Sequence, residues 1–403
     1  MREMKDSGVE WMGKVPENWN IVALKFLCSM QSGKTLSSEQ ISEEGKYPVY
    51  GGNGLRGYYS EANTFGDYLL VGRQGALCGN VHHVQGEFWA TEHAVVTKCS
   101  ALSDVRYMYY LLLGMNLNQY ASNTAAQPGL AVSQIINVKT CLAPIQEQKL
   151  IAVVLDEKCA QVNTLIANVQ AQIEKLKAYK QSLITEVVTK GLDHTVPMKD
   201  SGVAWIGEIP AHWEIKRGKV LFEESDARSA DGSEELLTVS QYTGITPRSQ
   251  KNVNMFEALT LEGYKLCDVG DIAANTMWLW AGAIGVSAYS GVISPSYNVY
   301  RQKAENFVPS YLDCLLRAPM LVQEYASRST GIRASRLRLY PKDFLDIMFP
   351  VPPVDEQQDI MSVLSEKFAA VDKLIAIKKS KIEKLEQYKK SLIYEYVTGK
   401  KEA

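Results

Sequence analysis

Apolar residues recur every seven positions along residues 143–192, and charged or amide residues fill most of the positions between them. The recurring residues are Leu155, Val162, Val169, Leu176 and Leu183. Pro144 precedes the regular stretch and Gly191 follows it. A heptad stripe of this length is typical of a coiled-coil helix, and the flanking proline and glycine are common start and stop signals.

The same pattern returns along residues 351–403. Its stripe consists of Leu364, Val371, Leu385 and Leu392, with Lys378 as one polar interruption. The two stretches align at an offset of 209 positions, the difference between 364 and 155. We therefore predict two related long helices, with Leu165, Leu374 and Tyr388 beside the stripes.

The two helices are predicted to pack along their stripes as an antiparallel coiled coil. The first helix leads from the first half of the chain to the second, so a second helix that packs along it must run in the opposite direction. This arrangement would separate two bodies and relate them by an approximate two-fold axis. The alternative is that each helix packs only on its own domain, although about 45 residues form a rod of about 65 Å.

A short opening phrase is also written twice. Residues 4–19 read MKDSGVEWMGKVPENW and residues 198–213 read MKDSGVAWIGEIPAHW, with ten of sixteen positions identical. Such self-similarity indicates a tandem duplication of opening phrase, variable body and long helix. We expect the opening phrases to be structural and to anchor each helix pair to its domain.

The two bodies, residues 20–142 and 214–350, are rich in Gly, Tyr, Val and Ser and alternate short apolar runs with turn signals. This pattern predicts strands joined by tight turns. We predict two homologous α/β modules. The expected boundaries are a first domain at 1–142, a first helix at 143–192, a second domain at 193–350 and a second helix at 351–403.

Composition adds limited information. The 403 residues are 46% hydrophobic and 22% charged, as in an ordinary globular protein. We expect no membrane span and no signal peptide. The seven cysteines form no C-x-x-C pair, which favours reduced thiols in the cytoplasm. The net charge of −2 counts mildly against a nucleic-acid binder, although the distribution of charge decides that question.

A catalytic site is not apparent in the sequence. Ser32–Thr35 reads SGKT, but Cys28 replaces the glycine that a phosphate-binding loop needs five residues before Gly33. The histidines at 82, 83 and 93 have no carboxylate or thiol at a helical ligand spacing. We therefore predict a protein that is not an enzyme by itself and that holds no metal.

The order of these segments resembles the specificity subunits of type I restriction–modification systems. The resemblance rests on the two W-[MI]-G-x-[VI]-P-x-x-W phrases, the helix openings APIQEQ and PPVDEQ, and the helix ends IEKLKAYKQSLITEVVT and IEKLEQYKKSLIYEYVT. It covers essentially the whole chain. It implies an α/β fold in which two target-recognition domains are separated by two long helices, paired as an antiparallel coiled coil in a pseudo-two-fold internal repeat.

The resemblance also implies a function and partners. Each target-recognition domain would read one half of a bipartite, non-palindromic double-stranded DNA site, while the helices set the spacing and dock two modification subunits. Those methyltransferase subunits use S-adenosylmethionine to methylate adenine. Two restriction subunits, which are ATP- and Mg-dependent translocase nucleases, join some of these complexes. The chain itself would be noncatalytic and would bind no cofactor.

Candidate DNA contacts are polar and aromatic side chains in or beside glycine-rich turns, where backbone can approach a groove. Arginine favours guanine, and asparagine or glutamine favours adenine. In the first body the candidates are Asn53, Arg56, Tyr58, Arg73, Gln74, Asn80 and His83. In the second body they are Arg248, Lys251, Trp278, Ser294 and Tyr297. We expect Trp278 and Trp280 to be core or groove-lining residues and not to intercalate.

The strongest electrostatic signal is the segment ASRSTGIRASRLRLYPK at 326–342, which carries five basic residues and no acid. We predict that Arg333, Arg336 and Arg338 contact phosphates, which supply affinity without sequence information. The alternatives are a solvated basic edge or a docking surface for the partner subunit.

A second class of function stays open at this point. The chain could be a coiled-coil adaptor that presents two modules for protein or carbohydrate ligands. Salt-sensitive DNA binding by the chain with its partner would separate the two hypotheses.

Overall fold

The computed structural model describes residues 2–75, 77–122, 129–251, 260–331 and 337–403. Within these ranges, the first copy of the repeat contains ten strands and three α-helices. They are β1 (Met4–Asp6), β2 (Lys14–Pro16), β3 (Asn20–Ala23), β4 (Cys28–Ser32), β5 (Tyr47–Gly51), β6 (Gly54–Tyr59), β7 (Thr64–Gly72), β8 (Val81–Ala90), β9 (Ala94–Cys99), α1 (Val105–Gly114), α2 (Val132–Ile135), β10 (Lys139–Leu142) and α3 (Ile145–Lys190).

The described part of the second copy contains twelve strands and five α-helices. They are β11 (Met198–Asp200), β12 (Glu208–Pro210), β13 (Glu214–Arg217), α4 (Gly218–Leu221), β14 (Phe222–Ser225), β15 (Leu237–Ser240), β16 (Gly244–Pro247), β17 (Lys265–Cys267), β18 (Ile272–Ala274), β19 (Ile284–Val286), β20 (Gly291–Ile293), β21 (Asn298–Gln302), α5 (Pro309–Leu316), α6 (Pro319–Arg328), α7 (Pro341–Leu345), β22 (Met348–Val351) and α8 (Val354–Val397).

The chain forms two compact units, and both long helices contribute to each of them. The first unit comprises Met1–Gln170 and Lys378–Ala403, and the second comprises Ala171–Ile377. Each unit has its own apolar core. In the described part of the chain, no helix is both long enough and apolar enough to span a membrane.

The predicted heptad stripe faces inwards in both long helices. In the first unit, Leu155 near the start of α3 shares a core with Leu392 near the end of α8. In the second unit, Leu183 near the end of α3 shares a core with Leu364 near the start of α8. The start of one helix therefore packs on the end of the other, and the predicted antiparallel pairing is confirmed within each unit.

One polar contact between the helices occurs twice. Lys389 Nζ donates to Asn163 Oδ1 at 2.8 Å in the first unit. Lys180 Nζ donates to Asp372 Oδ1 at 2.9 Å in the second. Both the lysines and their acceptors are equivalent positions of the repeat, so the duplication extends from sequence to side-chain pairing.

The opening phrases fold as short hairpins that fasten the helices to their bodies. β1 pairs with β2 and β11 pairs with β12, with antiparallel registers that match residue for residue. Trp19 and Trp213 are fully buried. Each donates its indole N–H at 2.9 Å to a glutamate in the first turn of a long helix, Glu147 Oε2 and Glu356 Oε2 respectively. The predicted anchoring role is confirmed.

The same phrases also contact the far ends of the helices. Gly191 and Gly399 follow α3 and α8 with φ of +70° and +69°, the left-handed conformation that glycine adopts most readily. A Cβ on Gly399 would lie 2.4 Å from Pro16 Cγ, and one on Gly191 would lie 3.3 Å from Trp213 Cζ2. Glycine is therefore required at both ends for two independent reasons.

A buried glutamine joins each body to its helix. Gln148 is 0% exposed, its Nε2 donates to Leu102 O at 3.0 Å and Ala143 O at 2.8 Å, and its Oε1 accepts from Asp104 N at 2.8 Å. Gln357 repeats this arrangement in the second unit. Its partners are Asn306 O, Pro352 O and Val308 N. These contacts explain why both helix openings read Glu-Gln.

The two bodies share a framework of four antiparallel strands. The first body has a six-stranded sheet in the order β4-β9-β7-β8-β5-β6, and the second has a four-stranded sheet in the order β14-β21-β18-β19. The first four strands of each order correspond in chain position. The second body adds the separate ladders β15-β16 and β17-β20. The framework is thus common to both bodies, whereas the strands and turns attached to it differ.

Candidate nucleic-acid interface

Three turns of the first body lie close together. They are the β5–β6 turn, the turn that follows β7 and the turn that precedes β8. A Cβ on Gly72 would lie 2.3 Å from the carbonyl oxygen of Gly52. Gly72 N also donates to Asn80 O at 2.8 Å. Glycine at these positions lets the backbones pack together, so side chains from all three turns emerge at one place.

Four of the predicted contact residues lie on these turns, and two of them, Asn53 and Asn80, contact each other. Asn80 Nδ2 donates to Asn53 Oδ1 at 3.3 Å, and Arg73 Nη1 donates to Ser32 Oγ at 3.3 Å. Gln74 follows Arg73 and is exposed. We call Asn53, Arg73, Gln74 and Asn80 the first polar cluster. Its amide and guanidinium groups have the donor and acceptor pattern that base edges require.

The remaining candidates of the first body lie outside this cluster. Arg56 on β6 is exposed and borders the cluster, since its Cδ lies 2.6 Å from the place that a Cβ on Gly51 would occupy. Tyr58 is half-buried farther along β6, where its backbone pairs with Ser42.

His83 is held in a network that joins the sheet to α3. Arg106 Nη1 donates to His83 Nδ1 at 2.9 Å, so the Nε2–H of the ring donates to Asp67. Arg106 also pairs with Asp156 of α3. Burial raises the pKa of Asp156, but hydrogen bonds from Arg106 and Tyr110 outweigh that effect and lower it overall. Both ring nitrogens of His83 are therefore already engaged within the protein.

Three candidates of the second body come together at the turn that follows β18. Asn275 Nδ2 in this turn donates to the hydroxyl oxygen of Tyr297 at 2.9 Å. Tyr297 N donates to Ser294 O at 2.9 Å. Burial raises the pKa of the Tyr297 phenol, which therefore keeps its proton as a possible hydrogen-bond donor. Trp278 lies three residues after Asn275 in the same turn.

Trp278 is not a core residue. Its side chain is 49% exposed, and its ring stacks on that of Trp280 with centroids 5.6 Å apart and an interplanar angle of 27°. The core alternative is therefore wrong for Trp278, because Leu279 between the two tryptophans takes the buried position instead.

Arg248 and Lys251 occupy a different turn, the one after β16. Arg248 N donates to Leu236 O at 2.8 Å, and Lys251 N donates to Arg248 O at 3.0 Å. Burial, followed by the charge of Arg248, lowers the pKa of Lys251. An anion next to this pair would relieve the repulsion between the two cations.

The basic segment is only partly described. Arg338 and Lys342 are exposed, as phosphate contacts require. Arg328 Nε instead pairs with Glu324 Oε1 at 2.6 Å, which neutralises part of the expected charge. Two of the predicted contacts lie outside the described residues, Arg333 and Arg336.

Comparisons with known proteins agree on one family. The family model described as type I restriction modification DNA specificity domain matches residues 16–175. The specificity subunit of the Escherichia coli type I restriction enzyme EcoprrI is 44% identical over 135 residues, which span 32% of this chain and only 33% of that relative. The specificity subunit of the Methanocaldococcus jannaschii type I restriction enzyme MjaVIII is 23% identical across 96% of this chain and 94% of its own length.

A solved structure shares the fold. It comes from work on complex assembly and conformational transition of a type I restriction–modification system, and it aligns with a TM-score of 0.66 at 13% identity. The alignment covers 95% of this chain and 98% of that chain. The chain is thus similar to type I specificity subunits in sequence and in fold. The family match extends over most of the first body and into α3.

Several residues that support or border the candidate interface were missed by sequence reasoning. Glu147 and Gln148 were visible as repeated letters, but their partners were not. Arg106, which engages His83, carried no local signal. Tyr242, 81% exposed at the tip of the β15–β16 hairpin, was not among the candidates, and an aromatic residue two positions before Gly244 in a turn was the signal for its exposure. Among the described residues, no group of three His, Cys, Asp or Glu side chains could hold a metal ion.

Proposed function

We propose that this specificity subunit reads a bipartite, non-palindromic double-stranded DNA site, one half with each body. One observation carries the proposal. The two bodies share the strand orders β4-β9-β7-β8 and β14-β21-β18-β19, but their connections between the third and fourth of these strands carry different side chains. Two DNA-reading domains in one chain can take the place of the two subunits of a symmetric dimer. Because the two domains differ in sequence, their half-sites need not form a palindrome.

The chemistry of the two connections fits this division. In the first polar cluster, the guanidinium of Arg73 suits guanine, and the amides of Asn53 and Asn80 suit adenine. In the second body, Ser294 and the exposed ring of Trp278 offer a hydroxyl and an aromatic face. Each body therefore presents its own combination of contacts to its half-site.

We assign the spacing between the half-sites to α3 and α8. These helices run without interruption for 46 and 44 residues, and their inward-facing stripes hold them together. A paired helix is far stiffer than a flexible linker of the same length. Stiffness of this kind would select one spacer length.

Two modification subunits are proposed to dock on apolar patches of the helix pair. In the first unit, Leu165 of α3 and Tyr388 of α8 are 48% and 55% exposed. Their equivalents in the second unit, Leu374 and Tyr179, are 46% and 48% exposed. Large apolar residues kept at matching exposed positions in both copies indicate a covered surface, and two equal patches suit two copies of one partner.

The chemistry of the complex is assigned to the partners. The modification subunits would use S-adenosylmethionine to methylate adenine, and any restriction subunits would use ATP and Mg. The specificity subunit would contribute recognition and assembly, and would bind no cofactor itself. We place the complex in the cytoplasm, where its seven free cysteines would stay reduced.

Exchange of one body tests the reading function. Residues 20–142 are replaced by the matching body of another specificity subunit, and methylated adenines are mapped in the host genome. We expect one half-site to change while the other half-site and the spacing persist. The reciprocal exchange of residues 214–350 is the matched control and should change the opposite half. A simultaneous change of both halves would contradict the two-reader proposal.

Substitution of one patch tests the docking proposal. Leu165→Ser with Tyr388→Ser should reduce the modification subunits in the purified complex from two copies to one, as measured by native mass spectrometry. Val153→Ser is the control, because Val153 is 64% exposed on the same helix but has a serine at the equivalent position of the repeat. Unchanged stoichiometry in the double variant would place docking elsewhere.

A further inference from the structure

The turn between β18 and β19 presents an unusual aromatic surface. Met277 and Trp278 are 38% and 49% exposed, and Trp280 supports Trp278 by stacking on it. Exposure of neighbouring large apolar side chains to water is unfavourable, and a ligand that covers them removes this cost. The feature therefore indicates a contact that the isolated chain does not make.

The turn is rigid before any ligand arrives. Asn275, only 5% exposed, accepts from Met277 N at 3.2 Å in addition to its bond to Tyr297. Thr276 Oγ1 donates to Ser296 O at 2.8 Å, and Trp280 Nε1 donates to Met277 O at 2.9 Å. These bonds hold the turn and the Trp280 ring, on which the Trp278 ring stacks, so little entropy would be lost in ordering the two rings when a ligand binds.

The position of the turn in the framework indicates the class of ligand. It occupies the same place as the β7–β8 connection, which carries Arg73, Gln74 and Asn80 in the first body. Guanidinium and amide groups at that place suit base edges and phosphates, and are poorly suited to an apolar protein partner. Equivalent connections in a duplicated reader are expected to face the same ligand, which is DNA under the proposed function.

The exposed area of the aromatic surface is large enough to stack one base but too small for a stable protein interface. A half-exposed indole offers roughly 100 Å² of surface. A stable protein interface needs about 800 Å² on each partner, whereas one base stacked on an aromatic ring needs only the area of that ring.

In place of the non-intercalating role expected from the sequence, we propose that Trp278, supported by Trp280, is a stacking wedge that opens one base step in the half-site of the second body and packs against the exposed base. The proposal rests on the reading function described above. Opening a step costs least at pyrimidine–purine steps, so the wedge would favour TA or CA/TG without a hydrogen bond to either base. Trp278 thereby becomes a specificity-determining residue that acts through DNA deformation.

The test uses the full chain in complex with its modification subunits, and DNA carrying the site mapped from genomic methylation. Permanganate oxidises thymines whose ring faces are unstacked, and both favoured steps contain a thymine. We expect the wild-type complex to expose one thymine in the half-site of the second body. Trp278→Ala should abolish this reactivity and weaken specific binding by about 5-fold to 150-fold. Trp278→Phe should restore part of both effects.

Tyr289→Ala is the matched control, because Tyr289 is a 37% exposed aromatic residue of the same body outside the candidate interface. It should leave permanganate reactivity and affinity unchanged. Equal reactivity and affinity in the wild-type and Trp278→Ala complexes would overturn the wedge while leaving the reading function intact. Loss of modification subunits from the Trp278→Ala complex, with the thymine still reactive, would also overturn it in favour of a protein contact. A wild-type complex that binds no specific DNA would refute the reading function itself.

Discussion

Replacement of Gln148 by methionine tests the joint between the first body and α3. Methionine has a similar length and flexibility and can fill the same buried space, so the change removes hydrogen bonds without leaving a large cavity. It leaves Leu102 O, Ala143 O and Asp104 N without their side-chain partner. Each unsatisfied buried group costs about 1–3 kcal/mol. Allowing for relaxation, we expect the free energy of unfolding of the first unit to fall by about 4 kcal/mol.

The loss in free energy of unfolding would be measured by hydrogen exchange at increasing urea concentrations. Mass spectrometry would assign the exchange to each unit. The amide of Asp104, which donates to the Gln148 side chain, should exchange faster, while amides of the second unit keep their rates. Gln357→Met repeats the experiment in the second unit, with the amide of Val308 as the reporter. Gln161→Met is the control, since Gln161 is exposed on α3 and should change stability by less than about 0.5 kcal/mol. A loss below about 1 kcal/mol in both buried variants would refute the assigned role.

Three further outcomes are expected. Insertion of one heptad into the middle of both α3 and α8 should lengthen the optimal spacer by about three base pairs, because seven residues add about 10 Å; an unchanged optimum in a library of spacers would show that the helices are not the ruler. Arg338→Ala with Lys342→Ala should weaken binding to all DNA sequences and reduce the log–log salt slope by roughly one unit per lost phosphate contact; loss of partner assembly with an unchanged slope would assign these cations to docking. For Glu147, burial raises the pKa, but hydrogen bonds from Arg2 and Trp19 and the charge of Arg2 hold it below the ordinary 4.5. The ionised form stabilises the fold at neutral pH, and this stabilisation is lost as the pH falls below 4.5 through the folded-state value. Acid titration of stability should therefore be flatter in Glu147→Gln, and identical profiles would contradict the assignment.

The helices could be predicted because their signal is local and periodic. Leu155, Val162 and Val169 repeat at a spacing that leaves few alternatives to a helix, and all three are buried in the structure. The antiparallel pairing followed from chain connectivity, given that the two stripes pack on each other. The opening phrases were also assigned correctly, since a repeated tryptophan in a repeated phrase has a shared structural use.

The site could be predicted only in part, because its geometry depends on contacts that are distant in sequence. The Trp19–Glu147 bond joins residues 128 positions apart, and no local pattern links them. His83 carried the chemistry of a base contact, but Arg106 and Asp67 engage both of its ring nitrogens. Composition in a turn indicates which side chains are available, whereas only the fold determines which of them remain free.

The division of the chain into units has a consequence for how the protein is made. The core of the first unit includes Leu392, Tyr396 and Val397, and Val397 O accepts from the Cys141 thiol at 3.1 Å. The second unit, in contrast, is one continuous stretch of chain. A nascent chain leaving the ribosome can therefore complete its second unit while the first still exposes the apolar surface reserved for the end of α8. The usual order, in which the N-terminal domain folds first, is therefore reversed. If translation slows near its end, the first half needs protection by chaperones for longer.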